Sequence, residues 1–480
     1  MATRERYPTG EDGVVGEELR PLLNADGDVV GVVSPSGRIA PIPLVTTDAN
    51  GNTVLLGPDG QYLIYAGKVK KSNLLTRSIT GRFAAASLAG SNHTTSLEFV
   101  LAAQYDRVRI LLPNMHTAAI DNVKVAFAPT ATQHGATQTA GGSAANSLVT
   151  PSGGVGTWVD ATFSGGATGS LTASDGTTPT FTATDWMDVQ SLARSDGGAG
   201  SLALVRIEIP SASGYRTSPF AGDNLSQWAN TASVGDRTYR AVKQAVLGVT
   251  TKALCTSYGW DGYHQAAVIQ YESRVKGVTV ATFGDSITDG GYSGLTPYCY
   301  TWGHQASESV SSSTFPVEFC NAGWPTKDSN EFYDMATLIM PLVKPGIVFW
   351  AAFTPNLTLD ANGIRDMRRY TSRMKALAQD YDTVLVMWTG IPSTYGLAQG
   401  KDWSAGADAM RVAYNTEIMA CGDAVCDMAS VMTGGFNATN TAQYDIISGA
   451  STDGLHPNTA GVEIMAGKAA ETMNWLGIHS

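Results

Sequence analysis

Apolar residues fall on alternate positions in four stretches of the chain: Leu97, Phe99 and Leu101; Val108, Ile110 and Leu112; Val123, Val125 and Phe127; Val205, Ile207 and Ile209. Successive side chains of a strand point to opposite faces, so this period of two predicts half-buried strands. Several in series predict an antiparallel all-β domain over about residues 80–275, closed as a β-sandwich or jelly roll. The Gly/Ser/Thr-rich run from His134 to Gly156 reads as a loop or edge, with strands resuming between Thr157 and Phe163.

After Lys276 the rhythm changes. Continuous apolar runs predict buried strands at Val278–Phe283, Phe315–Cys320, Ile347–Ala352, Thr383–Trp388 and Ala424–Met428. Between the third and fourth, Ile364, Met367, Thr371, Met374, Leu377, Ala378 and Tyr381 recur at helical spacing, as on a helix packed by one face. Alternating strands and helices imply a parallel sheet between helices over 276–480, the α/β part of the chain.

Two segments near the start, 24–39 and 48–63, repeat one unit of roughly 23 residues. In each, an Asn/Asp-Gly step precedes an apolar run, and Pro35 with Gly37 or Pro58 with Gly60 supplies a second turn. Both are predicted hairpins. Hairpins of this size bury little, so residues 1–70 are expected to pair with other chains, as a homotrimer, or to dock on a partner.

Composition narrows the function. A net charge of −11, without a basic stripe, opposes nucleic-acid binding. No apolar run reaches the ~18 residues of a membrane span. The first twenty residues carry charges of both signs and no apolar segment, so a secretory signal peptide is not expected. Five cysteines (Cys255, Cys299, Cys320, Cys421 and Cys426) have no metal-ligand spacing and are expected as reduced thiols, with no metal and no organic cofactor.

The chemistry lies in two short segments. The first of the strands after Lys276 runs into Gly284-Asp285-Ser286-Ile287-Thr288-Asp289-Gly290, which sets a serine at the carboxyl edge of the sheet ahead of a helix. A serine hydroxyl needs a base, and Asp453-Gly454-Leu455-His456-Pro457 supplies an imidazole with a carboxylate three residues before it. Pro457 suits the first position of a following helix.

These two segments, in this order and roughly 170 residues apart, resemble blocks I and V of the SGNH (GDSL) hydrolases, over about Val278–Gly477. The resemblance implies a flavodoxin-like domain with a parallel five-stranded sheet, Ser286 as nucleophile, and His456 and Asp453 as base and acid. It also implies an oxyanion hole from Ser286, Gly323 in Asn321-Ala322-Gly323-Trp324, whose N–H is expected to be free, and Asn356 in Thr354-Pro355-Asn356-Leu357. The departures are Thr354 and Leu357, where the family shows glycine and aspartate. Trp324, Tyr395 and Trp403 are candidates for stacking on sugar rings.

The order of hairpins, β-domain and hydrolase resembles bacteriophage tail-spike and tail-fibre esterases. That resemblance implies an O-acyl, chiefly O-acetyl, esterase acting on a bacterial surface polysaccharide, made in the host cytoplasm and carried on the virion tail through residues 1–70. The alternatives are a free bacterial carbohydrate or lipid esterase, expected to be a monomer or dimer, and a receptor-binding fibre with a vestigial esterase fold.

Overall fold

The computed structural model describes residues 69–79, 87–89, 93–131, 158–210, 215–217, 240–244, 267–290, 301–393, 405–420, 424–436 and 444–478, together with six short strands between residues 20 and 65. The chain divides into two compact units, one of Met1–Lys68 with Ala420–Ala424, the other of Val69–Met419 with Val425–Ser480. In the first unit each sequence repeat is a three-stranded antiparallel sheet. Arg20–Leu23, Val29–Val33 and Ile39–Ala40 form one, and Leu44–Thr47, Thr53–Leu56 and Tyr62–Tyr65 the other. Each sheet therefore has a strand ahead of the Asn/Asp-Gly step that a two-strand hairpin leaves out.

The second unit opens with β1 (Ser72–Ile79), β2 (His93–Leu101), β3 (Tyr105–Asn114), β4 (Ile120–Thr130), β5 (Ser201–Ile209) and β6 (Ala267–Gly284). One antiparallel sheet centres on β4, β5 and β2. Another sets β3 and β1 on either side of the first half of β6. The alternating residues meet in one buried cluster: Val108, Ile110 and Leu112 of β3 with Phe99, Val125, Phe127, Val205 and Ile207. Tyr105 sets its ring edge-on, 5.9 Å from both Phe127 and Tyr271. Each large apolar side chain withdrawn from water contributes about 1.5–3 kcal/mol.

Strand β6 passes without a break through Lys276, where the sequence changes rhythm. Over Ala267–Ser273 its partners are antiparallel, and from Val278 they are the parallel strands β7 (Val317–Gly323) and β8 (Ile347–Ala351). The change in rhythm follows from a short exposed stretch and a change of partners. Within residues 272–276 only Ser273 is buried, whereas Ala267–Tyr271 before them and Gly277–Gly284 after them are all buried, the latter as in a parallel strand covered on both faces. β9 (Val384–Trp388) pairs with β8, and β10 (Ala424–Cys426) follows, giving the order β7-β6-β8-β9-β10.

The main helices are α1 (Ser286–Asp289), α2 (Trp302–Ser309), α3 (Ser329–Val343), α4 (Ala361–Asp380), α5 (Ala405–Met419) and α6 (Thr459–Trp475). On α4 the buried face includes Ile364, Met367, Thr371, Met374 and Ala378, and Asp360 caps it by accepting the Asn362 and Gly363 N–H groups. In this strand order the chain leaves β6 in one direction to β7 and returns past it to β8. The crevice beyond the carboxyl ends of β6 and β8 is where α/β sheets of this kind hold ligands. No helix among the described residues is long and apolar enough to cross a membrane.

A buried charge joins the two halves of β6 to their neighbours. Glu318 of β7, fully buried, accepts the Ala102 N–H and the Tyr271 hydroxyl at 2.6 Å each through Oε1, and its Oε2 lies 3.5 Å from the Arg77 guanidinium. Removing one member of such a pair strands the other in a low-dielectric interior. Glu318→Ala is therefore expected to lower stability by about 3–5 kcal/mol, read as a shift in the urea midpoint. A shift of a few tenths would mean that the pair is not engaged in solution.

Candidate active site

Gly284 ends β6 where a Cβ would collide with the Thr288 side chain and the Ala351 methyl, so the strand closes against α1 only with glycine at that position. Asp285 follows as N-cap, its Oδ1 accepting the Ile287 N–H at 2.9 Å, and Gly290 ends the single turn with φ 74°. Ser286 thus stands at the start of α1, buried apart from 8% of its surface.

Asp453 and His456, the expected acid and base, come from a tight turn just before α6. Asp453 Oδ1 accepts the N–H groups of Leu455 (2.9 Å) and His456 (2.7 Å), which folds the carboxylate back over its own turn. A bridge between Ser451 and Pro457 closes the turn, and Ser451 donates to the His456 carbonyl at 2.7 Å. From the segment after β9, the Ser393 hydroxyl holds the Gly454 carbonyl at 2.9 Å. Pro457 does not open the helix as expected. Asn458 caps it by accepting the Gly461 N–H at 3.1 Å, so α6 begins at Thr459.

These two elements bring the three residues into one line. Ser286 Oγ lies 2.9 Å from His456 Nε2, and His456 Nδ1 lies 2.6 Å from Asp453 Oδ2. Partial burial pushes the Asp453 carboxyl up, but the hydrogen bonds from the His456 ring and from the His456 and Leu455 N–H groups outweigh it. The group sits below the usual carboxylate range and stays ionised at neutral pH. A serine held to an imidazole that a carboxylate orients is the arrangement that activates a hydroxyl for attack on an acyl carbon.

The expected oxyanion donors divide. Gly323 lies level with Gly284 across the β6–β7 pair, and a Cβ there would strike the backbone of Asp289, so close packing requires this glycine. Its N–H is not free as expected. It donates to the Asn321 side-chain oxygen at 2.9 Å, because Asn321 turns back over the strand end and also donates to the Asp289 carbonyl at 3.2 Å. Asn356 stands in the loop after β8 and gives one amide hydrogen to the Lys327 carbonyl at 2.7 Å, leaving the other uncommitted among the described residues.

Trp324 is half-buried, its backbone N–H donating to the Gly284 carbonyl at 2.6 Å and its ring 5.2 Å from the Lys327 ammonium. Tyr395 and Trp403 lie outside the described residues. Among the described residues no group of His, Cys, Asp and Glu is placed to hold a metal ion.

Sequence reading misses two features here. The Trp324–Lys327 turn, closed by Lys327 N–H to the Trp324 carbonyl at 3.3 Å, puts Thr326 at φ 68°, where a β-branched residue is rarely found. Its one sequence signal is Pro325 before it. The other is Thr354, fully buried, whose hydroxyl donates to Asp285 Oδ2 at 2.8 Å across 69 residues, a contact no local pattern encodes.

Comparison with known proteins gives likenesses of fold. The chain is similar to a putative lipolytic protein of the G-D-S-L family from Desulfitobacterium hafniense, 17% identical over 41% of this chain and 99% of that one, with a TM-score of 0.30. It is similar also to a lipase/acylhydrolase from Enterococcus faecalis (16% identity, 41% of this chain and 96% of that one, TM-score 0.31). A third is a family 3 carbohydrate esterase from Clostridium thermocellum (14%, 42% and 98%, 0.30). No family model and no curated protein matches.

Complete burial pushes the Asp285 carboxyl above the usual carboxylate range, against the pull of Thr354 and the Ile287 N–H. A carboxyl raised in the folded state contributes fully below its unfolded value, and that contribution is lost as pH rises through the folded value. An asparagine in its place keeps the capping oxygen and cannot ionise. The stability of Asp285→Asn relative to the parent is therefore expected to be more favourable at about pH 7 than at about pH 3. Urea unfolding at both pH values measures it, and a difference independent of pH would contradict the assignment.

Proposed function

We propose that the protein is a serine esterase in which Ser286 is the nucleophile, His456 the base and Asp453 its orienting acid. The observation that carries this reading is the unbroken line from Ser286 Oγ through His456 to Asp453, with spacings of 2.9 and 2.6 Å, at the carboxyl end of β6. As Ser286 Oγ bonds to the ester carbon, its proton passes to His456 Nε2 and the carbonyl electrons move onto oxygen. The Ser286 N–H and the uncommitted Asn356 amide hydrogen are the donors for that oxyanion. Collapse expels the alcohol, which takes the proton from His456, and water repeats the sequence to release the acid. Losing one oxyanion donor costs ~10²–10³ in turnover.

The substrate proposed is an O-acetylated carbohydrate, in particular a bacterial surface polysaccharide. Trp324, half-buried and hydrogen-bonded through its backbone N–H to Gly284 at the end of β6, offers an aromatic face of the kind sugars stack on. The proposed setting is a phage tail spike or fibre. Each small sheet over residues 20–65 has two edge strands, and unpaired edges tend to be covered by a neighbour, which favours a docking or trimerising role for residues 1–70.

The test is turnover of p-nitrophenyl acetate together with NMR of acetylated bacterial polysaccharides. Loss of acetyl signals and release of free acetate are expected with the parent. Ser286→Ala and His456→Ala are expected to abolish both activities, and Asp453→Asn to leave more than either. A folded Ser286→Ala variant with parental turnover would sink the assignment. Light scattering of the full-length chain at micromolar concentration is expected to give a trimer, and a strict monomer would favour a free esterase instead.

A further inference from the structure

Between the nucleophile and the amide proposed as oxyanion donor lies a hydroxyl that the acyl-transfer chemistry itself does not require. Thr354 donates to Asp285 Oδ2 at 2.8 Å and accepts the Asn356 N–H at 3.3 Å. Asp285 uses its other oxygen to cap α1, so this one carboxyl faces both the turn bearing Ser286 and the loop bearing Asn356. Both Thr354 and Asp285 are fully buried, so water cannot readily replace either partner. The Asn356 side chain then reaches the Lys327 carbonyl at 2.7 Å, which ties in the loop after β7.

We propose that Thr354 is a positioning residue for acyl transfer: its hydroxyl locks the loop that carries the Asn356 amide to the turn that carries Ser286. The inference rests on the serine-esterase reading and adds to it. Nucleophile and donor sit on different loops, after β6 and β8, and neighbouring strands alone fix their ends only as well as loop backbones hold shape. A hydroxyl that donates to one loop and accepts from the other fixes their relative offset. An offset of about 1 Å between reacting groups costs about 10²-fold in rate. Substrate held in the ground state makes no demand on that offset, so the effect falls on kcat and not on KM.

The experiment is steady-state hydrolysis of p-nitrophenyl acetate by the full chain and by Thr354→Val, Thr354→Ser and Thr354→Ala, with Ser286→Ala in parallel. Valine keeps the shape and removes the hydroxyl. It is expected to lower kcat by roughly tenfold or more with KM within about threefold, and to weaken binding of a boronic acid that forms a tetrahedral serine adduct by a similar factor. Serine, which keeps the hydroxyl, is expected to return kcat to within about threefold of the parent. Serine and alanine are both smaller than threonine, so their comparison decides the matter should valine prevent folding.

A folded valine variant with parental kcat, or a serine variant no faster than alanine, overturns the role of Thr354 while leaving the esterase reading intact. A parent without turnover, or a Ser286→Ala variant with full turnover, overturns the esterase reading and this inference with it.

Discussion

The continuous strand Ala267–Gly284 is the constraint on which the second unit depends. Its first half is a central strand of an antiparallel sheet and its second half a central strand of a parallel one, so no hinge separates the β-rich chain from the α/β part. The buried Glu318, accepting from Ala102 and Tyr271 beside Arg77, sits where those sheets meet. Sliding one sheet against the other would break hydrogen bonds to a charge that water cannot reach. Ser286, just past the end of the same strand, therefore inherits its position from both sheets.

Around Ser286 the structure distributes polar groups unevenly. Asp453, with a side chain 39% exposed, gathers hydrogen bonds that hold it ionised, whereas Asp285, fully buried, is held above the usual carboxylate range. The first carboxyl can therefore steady a positive imidazole, and the second serves geometry by capping α1 and meeting Thr354. The two aspartates thus differ in charge because their surroundings differ in water and in donors.

Much of this was legible beforehand. Period two marked Val108, Ile110, Leu112, Val123, Val125 and Phe127, and these do enter one core, because alternation is a property of the strand backbone and not of its partners. The five strands after Lys276 and the inner face of Ala361–Asp380 were readable because continuous apolar runs and helical spacing are likewise local patterns. Where the reading fell short, the missing information was long-range. The Gly323 N–H looked free until the Asn321 side chain turned back onto it, and the break at Lys276 looked like a domain boundary because the partner strands, not the chain path, change there.

By itself the sequence determined the alternation of strands, the carboxyl-edge serine and the turn that presents His456, since each depends on residues within a few positions of one another. Only the tertiary structure decided the 2.9 Å approach of Ser286 to His456 across 170 residues, the commitment of Gly323 to Asn321, and the Thr354 bridge between loops. Those distances are set where β6, β7 and β8 end side by side, and the order in which strands lie in a sheet is not written in any one of them.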